Sequence, residues 1–310
     1  MNNVFWSLIL GLVCILGIAS LIGFLLQQRA HGLSPTVNNL NERIRTWWVL
    51  VAILSIAIGL GPRISVMLFG FASFLALREF ISLTPTRNSD HWTLVLAFFI
   101  IIPLQYIFLA MKWYGMFSIF IPVYVFFVLS AISALSGDTE DFLARSAKVQ
   151  WAIMVTVYGA SYAPGLLMLD IPGYDGQTPL LLFFFLFVVQ VSDVLQYVCG
   201  KLFGRTKIAP VVSPSKTVEG LIGGGLLAAL CGAGLHNITP FSGLQAFFLS
   251  LVIVAAGFLG GLVLSAVKRS LGAKDWGTIV AGHGGALDRL DSVCFAAPIF
   301  FHLTRYWFCP

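Results

Sequence analysis

Residues 3–27 contain no charged side chain, and nine further apolar runs follow, at approximately 46–60, 64–83, 92–111, 115–135, 149–169, 179–199, 218–236, 244–267 and 290–308. A helix crossing about 30 Å of hydrocarbon needs about 20 such residues, because inside a bilayer the backbone must satisfy its own hydrogen bonds. Composition agrees: 58% of the 310 residues are hydrophobic and 10% are charged, against about 25% charged in a soluble domain. The 18 Lys and Arg and 13 Asp and Glu are too few to cover a soluble surface. A soluble enzyme, a disordered chain and a nucleic-acid-binding module are excluded, since no basic cluster interleaves with aromatics on a polar face. The expected fold is all-α, a polytopic membrane protein of about ten transmembrane helices.

Loop charge tests the count. With the N-terminus outside, fifteen of the 18 basic residues fall in loops on the cytoplasmic side, leaving Arg63, Lys112 and Arg305 on the other with Asp170 and Asp175; this is the asymmetry of cytoplasmic loops. The second run is short, and Gly59-Leu60-Gly61-Pro62 separates it from the third. If those two form one re-entrant unit, the count is nine. The first run lacks a basic flank and is too long for a signal peptide, so it reads as a retained span. Cys14, Cys199, Cys231, Cys294 and Cys309 lie in apolar stretches without metal-ligand spacing and read as small apolar side chains.

The two parts of the chain differ in character. Residues 1–180 read as apolar helices with weakly charged loops and no polar group standing out inside a span. Residues 181–310 hold an intramembrane acid and two dense polar loops, and chemistry is expected there. Asp193 interrupts the run that begins at Leu180, eight residues before Lys201. An ionised carboxylate at such depth costs about 2.5–3.5 kcal/mol on insertion scales, so a metal, a cation or a polar cavity must offset it, or else contacts with Gln190, Ser192 and Gln196 on its own helix.

Residues 200–220 gather Lys201, Arg205, Lys207 and Lys216 with Ser213 and Thr217 just before the eighth run. Free N–H groups at a helix start, beside Lys216, make an anion site, although an ordinary cytoplasmic loop would carry the same charges. The spacing is not that of a P-loop. The stretch from Ser265 to Ser292 holds Lys268, Arg269, Lys274, Asp275, His283, Asp288, Arg289 and Asp291. On a helix, Asp288 and Asp291 share one face, able to bind divalent cations through oxygen, unless they merely complement a helix dipole. A cationic, glycine-rich loop opening onto paired acids suits phosphoryl or nucleotidyl transfer, in which charge on phosphate must be neutralised.

This stretch resembles the signature of the phosphatidate cytidylyltransferase (CDP-diglyceride synthase) family, S-x-x-K-R-x4-K-D followed by H-G-G-x-x-D-R-x-D, here Ser265, Lys268, Arg269, Lys274 and Asp275, then His283, Gly284, Gly285, Asp288, Arg289 and Asp291. The S-P-x-K-T-x-E-G loop from Ser213 to Gly220, and Asp193 with Tyr197, Gly200 and Lys201, are similar to the family too. The likeness spans about residues 190–308, and the first part is similar to a bacterial paralogue branch. It implies a C-terminal cytidylyltransferase-like membrane domain, 181–310, after N-terminal transmembrane helices, 1–180. The implied reaction is transfer of CMP from CTP to phosphatidic acid or a similar lipid phosphate, giving CDP-diacylglycerol and pyrophosphate in phospholipid biosynthesis.

The resemblance further implies Mg²⁺, with or without a second cation, membrane lipids and a homodimer as partners, and a site facing the cytoplasm from a bacterial inner membrane. Lys268, Ser265 and Asp288 are the expected catalytic residues. Lys216, Ser213, Thr217, Arg269, Lys274, His283, Gly284, Gly285 and Arg289 are expected to bind substrate, and Asp288, Asp291 and Asp193 to bind metal. The chain departs from the pattern at one place. Where the family usually carries a metal-associated Asp, four residues before the signature Ser, Gly261 stands. The alternative is therefore a catalytically silent or weakened homologue that binds lipid or nucleotide and supports another membrane enzyme.

Overall fold

The computed structural model describes residues 2–29, 35–277 and 284–310. Ten helical rods account for most of these: α1 (Asn2–Arg29), α2 (Pro35–Leu60), α3 (Pro62–Leu83), α4 (Asn88–Ala110), α5 (Tyr114–Leu135), α6 (Phe142–Met168), α7 (Thr178–Phe203), α8 (Val218–Gly234), α9 (Gly243–Ser270) and α10 (Leu287–Phe308). Among the described residues seven are long and apolar enough to cross a membrane: α1, α3, α4, α5, α6, α7 and α9. Ile44–Leu60 of α2 and Val218–Gly234 of α8 are shorter apolar helices. α10 carries charges at both ends, Asp288 to Asp291 and Arg305. The protein is an all-α polytopic membrane protein.

The second and third apolar runs are two helices, broken at Gly61, whose φ of 112° lies in the region open to glycine, and at Pro62 in the first turn of α3. Proline there loses no helical hydrogen bond, which makes it a natural start. α4, α5 and α6 each contain a π-helical turn, at Ala97–Ile101, Phe120–Val125 and Met154–Gly159. In α4 the wide turn lies just before Pro103, and in α5 it contains Pro122, where the missing N–H interrupts the ladder.

The aromatic core joins both parts of the chain. Phe300 of α10 stacks on Phe185 of α7 at 5.4 Å, and Phe301 meets Tyr162 of α6 at 5.1 Å. A Cβ added at Gly159 would overlap the Cys294 carbonyl, so α6 and α10 cross backbone to backbone. The same device joins α7 to α8: a Cβ at Gly220 would stand 2.8 Å from the Gln196 carbonyl, and one at Gly224 would overlap the Gln196 backbone. Small residues at such crossings are the membrane solution to close helix packing.

The polar stretch between α7 and α8 is ordered by more than loop turns. Lys207–Ala209 (β1) pairs antiparallel with Ser213–Thr217 (β2). The Thr217 hydroxyl accepts the Gly220 N–H at 3.1 Å and caps α8, while Glu219 accepts the Arg205 and Thr206 amides at 3.0 and 3.1 Å.

Candidate functional site

The β1–β2 hairpin lies over the C-terminal end of α9, and between them is a cavity of about 320 Å³ lined by Val212–Ser215, Ser265, Lys268, Arg269, Lys274 and Asp275. Five of the residues expected at the site meet here: Ser213, Ser265, Lys268, Arg269 and Lys274. Their convergence has a local cause. Ser265 and Lys268 are three residues apart on α9 and share a face. The helix then ends at Leu271, with positive φ at Gly272, and the turn carries Lys274 back over the same opening. The Arg269 guanidinium donates to the Val212 and Ala273 carbonyls at 3.5 and 3.4 Å. Three cations against Asp275 give the cavity an anion-attracting field.

Lys268 is nearly buried, and its ammonium donates to Asp288 Oδ1 at 2.6 Å. Asp288 Oδ2 accepts the Trp276 and Gly285 amides at 2.9 and 2.8 Å. The carboxylate thus joins the end of α9, the start of α10 and both sides of the glycine-rich loop. A positive φ of 84° at Gly284 allows that approach, for a side chain there would stand 2.6 Å from Asp288 Oδ2.

A second group lies deeper. The Ser292 hydroxyl of α10 donates to Asp193 of α7 at 3.1 Å, so Asp193 finds its partner on another helix and not among its own neighbours. Asp291 Oδ1 accepts the Ser292 amide at 2.7 Å. Lys216, placed by sequence at the helix start, instead reaches inward, donating to the Phe258 carbonyl at 3.1 Å with its ammonium 4.3 Å from the Phe258 ring centroid. Burial lowers its pKa, while the charges of Asp193 and Asp291 oppose that shift. Gly261 is the floor of this group: a Cβ there would stand 2.9 Å from Lys216 Nζ and 3.8 Å from Asp291 Oδ2.

Arg289 lies on a third surface. With Gln190 it lines an otherwise apolar cleft of about 210 Å³ between α2, α3, α7 and α10, walled by Trp47, Leu54, Leu68, Phe69, Leu186 and Val293. Thr217 serves as the cap described above, and His283 lies outside the described residues. Among the described residues, no group of three or more His, Cys, Asp or Glu is placed to hold a metal.

One participant comes from the part of the chain where no polar group was expected. Glu79 of α3 is 4% exposed and accepts the Ala286 and Leu287 amides at the start of α10, each at 2.8 Å. The expectation that residues 1–180 hold no polar group of consequence is thereby corrected. The available signal was an acid inside the apolar run 64–83, masked by its neighbour Arg78, which reads as an end-of-span charge.

The fold is thus a bundle of membrane helices with a cationic cavity at one end, backed by acids within the helices. The chain belongs to the cytidylyltransferase family, whose model matches residues 41–307. The chain is 41% identical over 268 residues to the uncharacterized protein YnbB of Escherichia coli (strain K12), covering 85% of this chain and 87% of that protein. It is 38% identical over 120 residues to phosphatidate cytidylyltransferase of Aquifex aeolicus (strain VF5), and 41% identical over 121 residues to the enzyme of that name from Staphylococcus saprophyticus. Those two matches cover 39% and 38% of this chain, and 45% and 46% of the relatives. The family match and the long apolar helices together make this a polytopic membrane protein of a nucleotidyltransferase family.

Proposed function

We propose that the protein transfers CMP from CTP to a lipid phosphate, turning phosphatidic acid into CDP-diacylglycerol with release of pyrophosphate. A phosphate oxygen of the lipid attacks the α-phosphorus of CTP. The new P–O bond forms as the bond to the bridging oxygen breaks, and that electron pair leaves with pyrophosphate. No strong general base is required, because the attacking oxygen is ionised at neutral pH. The barrier is largely repulsion between anions, which positioned cations reduce.

The observation that carries this reading is the single cavity formed by Ser213, Ser265, Lys268, Arg269 and Lys274. Triphosphate oxygens fit those ammonium, guanidinium and hydroxyl donors, with Lys268 held in place by Asp288. The apolar cleft ending at Gln190 and Arg289 suits an acyl chain with its phosphate at the Arg289 end, one residue from Asp288. Mg²⁺ is bound in proteins through one or two carboxylates together with substrate phosphates. Asp193 and Asp291 are the pair that fits, because Asp291 Oδ2 faces the space over Gly261; the ion would supply neutralisation of phosphate charge. Asp288, committed to Lys268 and two amides, fits better as the organiser of the loop. The excess of basic residues in the loops on this side supports a cytoplasmic site in a bacterial inner membrane.

Gly261 favours a second reading, a homologue that binds CTP without turning it over, since the floor beneath Lys216 and Asp291 offers no carboxylate. The test is formation of a CDP-lipid by purified protein from CTP, phosphatidic acid and Mg²⁺. Product is expected from wild type, with Asp288→Ala reducing turnover by about 10²-fold or more. Absence of product across a wide Mg²⁺ range, with CTP still bound, would leave the silent homologue.

A further inference from the structure

We infer that Glu79 is a positioning residue of the candidate site, fixing from α3 the flanks of the glycine-rich loop at Gly277 and at Gly285–Leu287. Its two carboxylate oxygens are used separately: Oε1 accepts the Ala286 amide and Oε2 the Leu287 amide. These are orphan donors at the start of α10, where a negative charge also meets the positive end of the helix dipole. The other end of the segment is pressed against the same side chain. A Cβ at Gly277 would stand 2.9 Å from Oε1, and one at Gly285 would overlap Oε2. Phe80, the next residue of α3, stacks on Trp276 with centroids 4.9 Å apart and planes 20° from parallel.

Glu79 is absent from the lining of the cationic cavity, so it is not a catalytic residue. It acts through Asp288. That carboxylate grips the Trp276 and Gly285 amides on one oxygen and Lys268 on the other, and it can hold Lys268 steady only while those amides stay in place. Gly277, Gly285, Ala286 and Leu287 are all within reach of Glu79, which makes α3 the abutment of the site. The nucleotide part of this inference rests on the cytidylyltransferase reading, whereas the grip on the loop rests on the geometry alone.

The experiment compares full-length wild type with Glu79→Gln and Glu79→Ala, purified in detergent, by hydrogen exchange and by CTP kinetics. Loss of both acceptors in Glu79→Ala is expected to speed exchange of the Ala286 and Leu287 amides by about tenfold or more, while central α8 and α9 amides stay unchanged. Glu79→Gln preserves volume and one acceptor oxygen, so it should fall between. The KM for CTP should follow the same order, rising about tenfold in Glu79→Ala with a smaller fall in kcat. Unchanged exchange at 286–287, exchange raised throughout the molecule in Glu79→Gln, or raised local exchange with an unaltered KM would each overturn the inference. If wild type makes no CDP-lipid, exchange alone decides the grip, and the cytidylyltransferase reading falls separately. Should Glu79→Ala fail to fold, the Gln variant carries both measurements.

Discussion

Two clusters of buried charge invite comparison. In the first, Arg145 of α6 lies 2.7 Å from Asp138 and 3.7 Å from Asp90, and it donates to the Ser89 hydroxyl at 2.8 Å. Arg87 adds contacts to Asp138 at 3.2 Å and to Glu140 at 2.6 Å. The second is the group around Lys268 and Asp288. Both bury an ion pair, so burial does not tell them apart. The difference is what each faces. The Arg145 cluster directs its cations at acids of the chain itself. The Lys268 cluster spends Lys268 on Asp288 but also lines a cavity, where Arg269 and Lys274 stand with Asp275 as the acid in the lining. A charge set closed on itself is architecture; one with an excess of a single sign lining open volume attracts ions of the other.

Substitutions on the two sides should therefore separate activity from stability. The largest effect is expected from Lys268→Met, which removes the phosphate contact proposed above and leaves Asp288 buried with amide partners alone: kcat/KM for CTP should fall about 10²-fold or more, measured as CDP-lipid formed. Arg145→Met should do the reverse. Removing one partner of a buried pair costs about 3–5 kcal/mol, so thermal unfolding in detergent should move down by several degrees, while turnover per folded molecule stays at the wild-type level. Gly261→Asp probes the floor of the deeper group, where a carboxylate would meet Lys216 and lie beside Asp291. About a tenfold rise in turnover at limiting Mg²⁺ is expected, and an unchanged Mg²⁺ dependence would show that position 261 takes no part in metal binding.

The smallest effect concerns protons. Hydrogen bonds from Ser89 and Arg145 hold the Asp138 carboxylate down at about 2. A lowered pKa gives a contribution that is full above the unfolded value and lost as pH falls through the folded one. The contribution of Asp138 should accordingly stay constant from neutral pH to about pH 4. Asp138→Asn should lower the unfolding temperature slightly and by the same amount across that range, and a difference that grows toward neutral pH would contradict the assignment.

The helices were legible because hydrocarbon imposes length: each apolar run became a rod. Boundaries were less so. The second run, read as 46–60, is the end of a helix that begins at Pro35, since polar residues outside the bilayer continue a helix without leaving an apolar trace. The residues of the cationic cavity could be named because a signature spaces them along α9 and its following turn. Lys216 stands beside the start of α8, as expected, and the inward path of its side chain over Gly261 to the Phe258 carbonyl is set by a residue 45 positions away that no local spacing displays. Glu79 was missed for a physical reason: its acceptors meet amides 207 and 208 residues away, and main-chain partners have no side-chain identity for a sequence to display.

The glycine crossings of α7 and α8 carry a mechanical consequence. Where Gly220 and Gly224 lie directly on the Gln196 backbone, no side chains intervene that could repack and absorb a displacement. The shaft bearing Asp193 and the arm bearing Lys216 are therefore welded at the joint. A displacement of the hairpin is shared between both helices and not absorbed at their crossing.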